Sequence, residues 1–348
     1  MVFVYGATGR VGQRIALLLS SKTDVIISGR NESKLKALAK RICEITGYKP
    51  KVFPFNISEM LKFEIKKMNV KVLLNLAYLP YESLETLIGY AVSNGINYID
   101  ISEKAKHVLN IWRKYDMLSK MNKVSVVQSA GFLSAAEESS VCELTDAEKI
   151  HILYDSILVM SPGSIKSLIY LLSSAPTYTE HENIFWHNGN WFSENLWFRN
   201  FNGMSYVSLP TPSVATVPRI LNNVNEFRTY LYVPEFLKPF IQIFISLNRL
   251  KLRVFLSNII RSMFINNSIA SKDDKIIMRI FSEGRYGQKI EFRIFKDPIG
   301  MNEKIILFCV DKFLDDSIYV EKGVLPPTLA FPDLRSVVRY ETVERFSN

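Results

Sequence analysis

Three glycines spaced three apart, Gly6, Gly9 and Gly12, stand between the apolar run Val2-Phe3-Val4-Tyr5 and a helical repeat of Ile15, Ala16, Leu18 and Leu19. That order, strand then tight turn then helix, restricts the opening of the chain more than any other feature. Each glycine has a distinct physical reason. Gly6 lets the backbone leave the strand sharply, Gly9 admits a phosphate without a Cβ in the way, and Gly12 lets the helix lie close on the strand. A helix that starts this way offers unpaired N–H groups to an anion, so the loop Gly6, Thr8, Gly9, Arg10, Val11 and Gly12 reads as a dinucleotide site. The spacing is GxxGxxG, a variant of the GxGxxG fingerprint. Three glycines that merely make a turn are the competing explanation, and the position directly after a first strand weighs against it.

The next strand, Val25-Ile26-Ile27-Ser28, ends at Gly29-Arg30-Asn31, where Asn31 is placed to cap a helix carrying Leu35, Leu38, Ala39 and Ile42. An NAD enzyme keeps an acidic residue near this point for the ribose 2′-hydroxyl. Here Ser28, Gly29 and Arg30 occupy the place, and a guanidinium favours a 2′-phosphate, with Lys34 one helical turn on as a second charge. NADP is therefore the expected cofactor and NAD the less favoured one. Glu32 is the residue able to reverse that preference, and a solvated helix face is the plainer reading of Arg30. Asn56 ends a third strand, Lys51 to Asn56, at the adenine side. Leu76, Ala77 and Tyr78 close a fourth, Val70 to Ala77, whose nearly unbroken apolar run suits a strand buried on both faces. Further strands are expected at Ile96 to Asp100 and Val124 to Val127, and helices after Ser58, through Leu84 to Val92, and after Ser102.

Six strands alternating with helices predict an α/β fold, a Rossmann-type doubly wound parallel sheet. Near Ile150 the pattern turns aromatic and alternating, which predicts a second, inserted mixed α/β domain. The expected division is 1–133 plus 325–348 for the NADP-binding domain and 134–324 for an inserted substrate or oligomerisation domain. Within the insert, Asn188-Gly189-Asn190 resembles a hairpin tip among Phe185, Trp186, Trp191, Phe192, Trp197 and Phe198. Gly284-Arg285-Tyr286-Gly287 is the clearest hairpin. The aromatic cluster reads as core ahead of ligand wall. Residues 236–272 hold no acidic side chain and interleave Arg249, Lys251, Arg253 and Arg261 with large apolar residues. No uncharged run there nears the roughly 20 residues of a membrane span. Helices buried in the second domain, a face on an anionic membrane, a cover for a lipid-like substrate and a subunit interface all fit.

The chain has 348 residues and a formal net charge of +9, which suits anionic partners without choosing among them. Cys43, Cys142 and Cys309 have neither disulfide nor zinc spacing, and a reducing cytoplasm fits them. No signal peptide is expected, because the first strand begins at Val2. The four histidines lack metal-ligand spacing, and there is no Gly-x-x-x-x-Gly-Lys loop, so metal and nucleotide hydrolysis are not expected. No Tyr-x-x-x-Lys occurs, which argues against a short-chain dehydrogenase mechanism.

Four pieces in order, Gly6-Ala7-Thr8-Gly9-Arg10-Val11-Gly12, Ser28-Gly29-Arg30-Asn31, Asn97-Tyr98-Ile99-Asp100-Ile101-Ser102 and Gly323-Val324-Leu325-Pro326-Pro327, resemble landmarks of the saccharopine dehydrogenase-like oxidoreductases. The resemblance implies an NADP-type Rossmann domain, an inserted mixed α/β domain, and a return of Leu329 to Phe346 to the Rossmann domain. Amino-acid-handling members carry an Asp-Pro-Gly turn where this chain has Gly131-Phe132-Leu133-Ser134, which argues against an α-amino acid or saccharopine substrate. Some relatives act on lipid-like enoyl or keto groups, and residues 236–272 lean that way. Hydride transfer asks for orientation, a dry pocket and, for carbonyl reduction, a proton donor. By topology Tyr78, Tyr81, Tyr98, Asp100, Ser102, Glu103, Lys104 and His107 are the candidates. Tyr98 and Asp100 are the favoured catalytic residues, with a buried tyrosine and a helix-capping carboxylate as their plainer roles. The expected function is an NADP-dependent oxidoreductase acting on a carbonyl, imine or enoyl substrate. A non-catalytic NADPH-sensing protein and a peripheral membrane or assembly protein are the alternatives. Expected partners are a small-molecule substrate, a second copy in a homodimer and a membrane surface through 236–272; nucleic acid is not expected.

Overall fold

A computed structural model of the chain describes residues 1–57, 65–155, 184–193, 197–233, 235, 238–239 and 275–347. Two units emerge, one of Met1–Ser102, His107–Ala135 and Ile299–Val338, the other of Glu103–Lys106, Ala136–Pro298 and Arg339–Asn348.

The first unit is built on a seven-stranded sheet. Strands β1 (Val2–Tyr5), β2 (Val25–Gly29), β3 (Lys51–Pro54), β4 (Val72–Asn75), β5 (Asn97–Asp100) and β6 (Ser125–Val127) are joined by a late strand, Gly323–Leu325. The order is β3-β2-β1-β4-β5-β6 and then Gly323–Leu325, with every pair parallel. Helices α1 (Arg10–Ser20), α2 (Glu32–Thr46), α3 (Tyr81–Ser93) and α4 (Ala105–Met121) make the crossovers. The central strands β1 and β4 are buried at every position and, apart from Asn75 at the end of β4, apolar, as two covered faces require. One face packs Phe3, Tyr5, Leu73, Tyr98 and Val126 against Leu84, Leu87, Ile88 and Ala91 of α3. Because the chain passes from β3 to the far side of β1, the order reverses between β1 and β4, where such sheets open a crevice at their carboxyl ends.

The second unit is a mixed sheet. Strands β7 (Ala147–Tyr154), β8 (Ile184–His187), β9 (Asn190–Ser193), β10 (Phe198–Phe201), β11 (Met204–Ser208), β12 (Glu226–Tyr232), β13 (Lys275–Gly284) and β14 (Gly287–Lys296) are joined by Glu341–Ser347. The path runs β10-β11-β12-β7-β13-β14 to Glu341–Ser347, with β8 on β12 and β9 on β8. Strands β12 and β7 pair in parallel, and the rest are antiparallel. Both expected hairpins form. Gly284 sits opposite Gly287, and His187 opposite Asn190 across Asn188 and Gly189, whose positive φ angles of 47° and 77° suit a type I′ turn. The indoles of Trp186 and Trp191 lie 4.6 Å apart and donate to Val224 O and Val214 O of this same unit, yet the aromatic cluster is half-buried with Phe192 exposed, so it packs on the sheet without forming a sealed core.

Three expectations need correction. The return to the first unit begins at Ile299, well before 325, because helix Pro298–Leu314 packs there ahead of Gly323–Leu325. The closing residues do not all follow: Glu341–Ser347 pairs with β14, extending the second sheet. Ser102 does not cap a helix, since α4 starts three residues later at Ala105. Residues 58–64 of the helix expected after Ser58 and, apart from Lys238 and Pro239, the segment 236–272 lie outside the described residues.

Candidate active site

The glycine loop is held by backbone bonds at the switch point. The N–H groups of Gly6 and Ala7 both donate to Ser28 O, at 3.0 and 3.1 Å, and Gly9 N–H donates back to Gly6 O at 3.0 Å. Gly6 has φ +80°, and a Cβ on it would stand 2.6 Å from the Ala77 nitrogen, so only glycine lets the turn lie on the end of β4. A Cβ on Gly12 would stand 2.2 Å from Gly6 O, so glycine there is what allows α1 onto the turn. Gly9 is different: it is exposed, has an ordinary φ of −71°, and a Cβ there would meet only Gly6 O, at 3.3 Å. Its glycine leaves space open at the start of α1 and does not relieve backbone strain.

Helix α1 has no side-chain cap and no acidic residue in its first turn. The amides of its first turn are therefore available to an anion, and the helix dipole adds positive potential at the same point. Gln13, which sequence reasoning passed over, braces the loop by donating Nε2–H to Thr8 O at 3.0 Å. Asn75 was also missed. At the end of β4 its Oδ1 accepts from Ala77 N–H at 3.1 Å and shapes the approach to Leu76, Ala77 and Tyr78; an Asn at a strand end is the turn signal that would have found it. Leu76 is buried, Ala77 half-buried and Tyr78 exposed.

At the end of β2 the expected residues divide. Gly29 lies beside the loop, the place of its missing Cβ being 3.9 Å from Thr8 Oγ1. Ser28 is buried, and its hydroxyl donates to Phe53 O at 2.6 Å, so its side chain ties β2 to β3 and is not free to hold a nucleotide. Asn31 caps α2, its Oδ1 accepting from Lys34 N–H at 2.9 Å. Arg30 and Lys34 are exposed and make no ion pair among the described residues, while Glu32 is taken up by Lys36 at 2.7 Å. Asn56 is exposed just past β3. Val11 is half-buried and Arg10 exposed.

The catalytic pair fails on burial. Tyr98 and Asp100 are both 0% exposed. The Tyr98 ring belongs to the core beneath α3, and burial first, then the neighbouring Asp100 carboxylate, holds its hydroxyl well above the usual tyrosine range. Asp100 Oδ1 accepts from Ser102 N–H and Ser129 N–H, both at 2.9 Å, which ties the end of β5 to the end of β6. Burial raises its pKa, and those two N–H groups pull it partly back. Neither side chain is open to a substrate in this structure, so we assign neither as the proton donor. Nearer the rim, Tyr81 opens α3 and His107 lies in the first turn of α4; both are half-buried, with ring centroids 5.3 Å apart. The N-terminus of helix α5 (Phe132–Val141) is closed from within, since Asn302 Oδ1 accepts from Phe132 N–H at 2.8 Å. Among the described residues no cluster of His, Cys, Asp or Glu is arranged for a metal ion, and no helix is long and apolar enough to cross a membrane. The three cysteines are free thiols.

Residues 2–127 match the family model described as the saccharopine dehydrogenase NADP binding domain. Among solved structures, the chain is similar to apo saccharopine dehydrogenase (L-Glu forming) from Saccharomyces cerevisiae, with a TM-score of 0.61, 11% identity and 99% of each chain covered. That likeness is one of fold. Amine dehydrogenase from Mycobacterium smegmatis is more distant, at TM-score 0.48 and 8% identity over 94% of this chain and 95% of that one. No curated protein matches the chain.

Proposed function

On the premise that residues 2–127 are an NADP-binding domain of the saccharopine dehydrogenase type, and the chain accordingly an NAD(P)-dependent oxidoreductase, we propose that it reduces or oxidises a partly apolar carbonyl, imine or enoyl substrate. The observation that carries the nucleotide site is the uncapped start of α1 beside Gly9, which leaves room and unpaired amides for a diphosphate. The fit extends along the sheet edge. Thr8, Gly9, Arg10, Val11 and Gly12 would hold the diphosphate, Arg30 with Lys34 the 2′-phosphate, Gly29 and Asn31 the ribose side, Asn56 the adenine edge, and Leu76, Ala77 and Tyr78 the nicotinamide half. Bound NADP(H) supplies the hydride, and the protein's tasks are to orient the two reactants, exclude water and move a proton. Tyr81 and His107 are the pair we assign to that proton, because both stand just past the ends of β4 and β5 and neither is sealed in the core. The apolar character of the substrate rests on the missing Asp-Pro-Gly turn at Gly131–Ser134 and on the composition of 236–272. A homodimer, a cytoplasmic location and membrane contact through 236–272 rest on the sequence alone.

Calorimetric titration tests the site. Arg30→Ala should weaken NADPH roughly 10- to 100-fold, as expected for a lost charge-assisted phosphate contact, and leave NADH nearly unchanged. Equal loss for both nucleotides would remove Arg30 from the site, and no binding of either would remove the reading. A second reading, NADPH sensing without turnover, is favoured by one observation, the withdrawal of Tyr98 and Asp100 into the core. Following NADPH absorbance across a carbonyl, imine and enoyl panel separates the two.

A further inference from the structure

The outer groove between α1 and α2 has no place in the scheme above. One stripe of α1 brings Arg10, Arg14 and Leu17 to it, and α2 brings Leu38, Arg41 and Ile42. The pocket they line holds about 360 Å³, at the lower end of the range for small-molecule sites. Parallel helices lying side by side on a sheet usually fill such a groove with aliphatic side chains. Here three arginines line it, and like charges gathered at one place repel unless an anion answers them.

Of the three, Arg14 is answered by Glu303, and the acids of α2 are taken up by lysines. Glu303 pairs with Arg14 at 2.7 Å, Glu32 with Lys36 at 2.7 Å and Glu44 with Lys40 at 3.9 Å. Arg10 and Arg41 have no ion pair among the described residues. The base of the groove is apolar, with Ile42 and Leu38 buried and Leu17 half-buried. A bare hydrated phosphate would give up water against those aliphatic carbons for nothing in return. A head with a short chain suits both parts: the head meets the fork of a guanidinium, and the chain covers Leu17 and the arginine stems. At about 30 Å³ per non-hydrogen atom, taking the share of liquid volume that a water occupies, the space takes about a dozen atoms.

We propose that this groove is a second ligand site, for a small anionic amphiphile with a phosphate or carboxylate head on a short aliphatic chain. It is separate from the nucleotide site: Arg30 is not part of its lining, and Arg14 and Arg41 lie along the helices, beyond the first turn of α1. Arg10 is common to both, and Gln13, which braces the glycine loop at Thr8, also lines the groove.

Octyl phosphate is the probe, titrated calorimetrically into the full chain with and without saturating NADPH. Saturable binding should persist with NADPH present and weaken tenfold or more in Arg41→Gln and again in Leu17→Glu, with Arg41→Lys between. Arg41 is exposed, so its replacement leaves the fold intact, and a thermal melt checks Leu17→Glu. Inorganic phosphate and octanol should each bind at least tenfold more weakly than octyl phosphate. The proposal is overturned by an absence of saturable binding, by affinity unchanged in both variants, by inorganic phosphate binding as tightly as the alkyl ester, or by displacement with NADPH. NADPH affinity in the same variants reads the nucleotide site independently, so failure of one site is not mistaken for failure of the other.

Discussion

Glu137, fully buried in the second unit, accepts hydrogen bonds from the Tyr154 hydroxyl and, at 2.7 Å, from Thr211 Oγ1, and burial still pushes its pKa up to about 7. A raised carboxyl pKa means that the folded state holds its proton more tightly than the unfolded chain does. Its contribution is therefore complete below about pH 4.5, declines as pH rises, and is lost above about 7, a difference on the order of 3 kcal/mol. Glu137→Gln should flatten that decline, so that thermal melts of variant and parent diverge between pH 5 and pH 8; parallel curves would deny the assignment. His107 and Tyr81 make a kinetic claim at the same scale. His107→Gln and Tyr81→Phe should each lower kcat roughly 10²- to 10⁴-fold while NADPH affinity stays put, measured by steady-state turnover and titration. Tyr98 shows why sequence misplaced the chemistry. In a strand buried on both faces, every side chain near the carboxyl end looks adjacent to the crevice, and only the packing of α3 tells a core tyrosine from a rim one.

Whole elements were legible where the signal is local. The strand–loop–helix at Gly6 to Gly12, the Asn31 cap and both hairpins follow from residues within a few positions of one another, because turn geometry and capping are short-range effects. Helix α5 is the contrary case. Its first amide is satisfied by Asn302, 170 residues away in sequence, and no local pattern announces such a partner. Asn302→Ala should cost about 1 kcal/mol, as other lost caps do, read as a lower denaturant midpoint at unchanged slope. Asn302→Asp should retain most of that stability, since a carboxylate accepts the same N–H and favours a helix start. If alanine costs nothing, the bond is incidental.

At the scale of the molecule, the two-unit plan and the parallel sheet were readable from alternation of strand and helix, whereas the crossing points were not. The chain returns to the first unit at Ile299 and leaves it again before Glu341, and nothing in the composition marks either place. Ending the chain after Val338 would strip Glu341–Ser347 from β14 and leave that edge unpaired. Such a truncation should lower the melting temperature and promote aggregation while NADPH titration still detects the amino-terminal site; loss of both together would mean that the units do not behave separately. The late strand Gly323–Leu325 has a consequence during synthesis. Strand β6 gains its outer neighbour only after a further ~200 residues are made, which at ~5–20 residues per second is roughly 10–40 s on the ribosome. For that interval the nascent sheet carries a bare flank open to the wrong partner, so the yield of folded protein in a cell should depend on how well chaperones shield it.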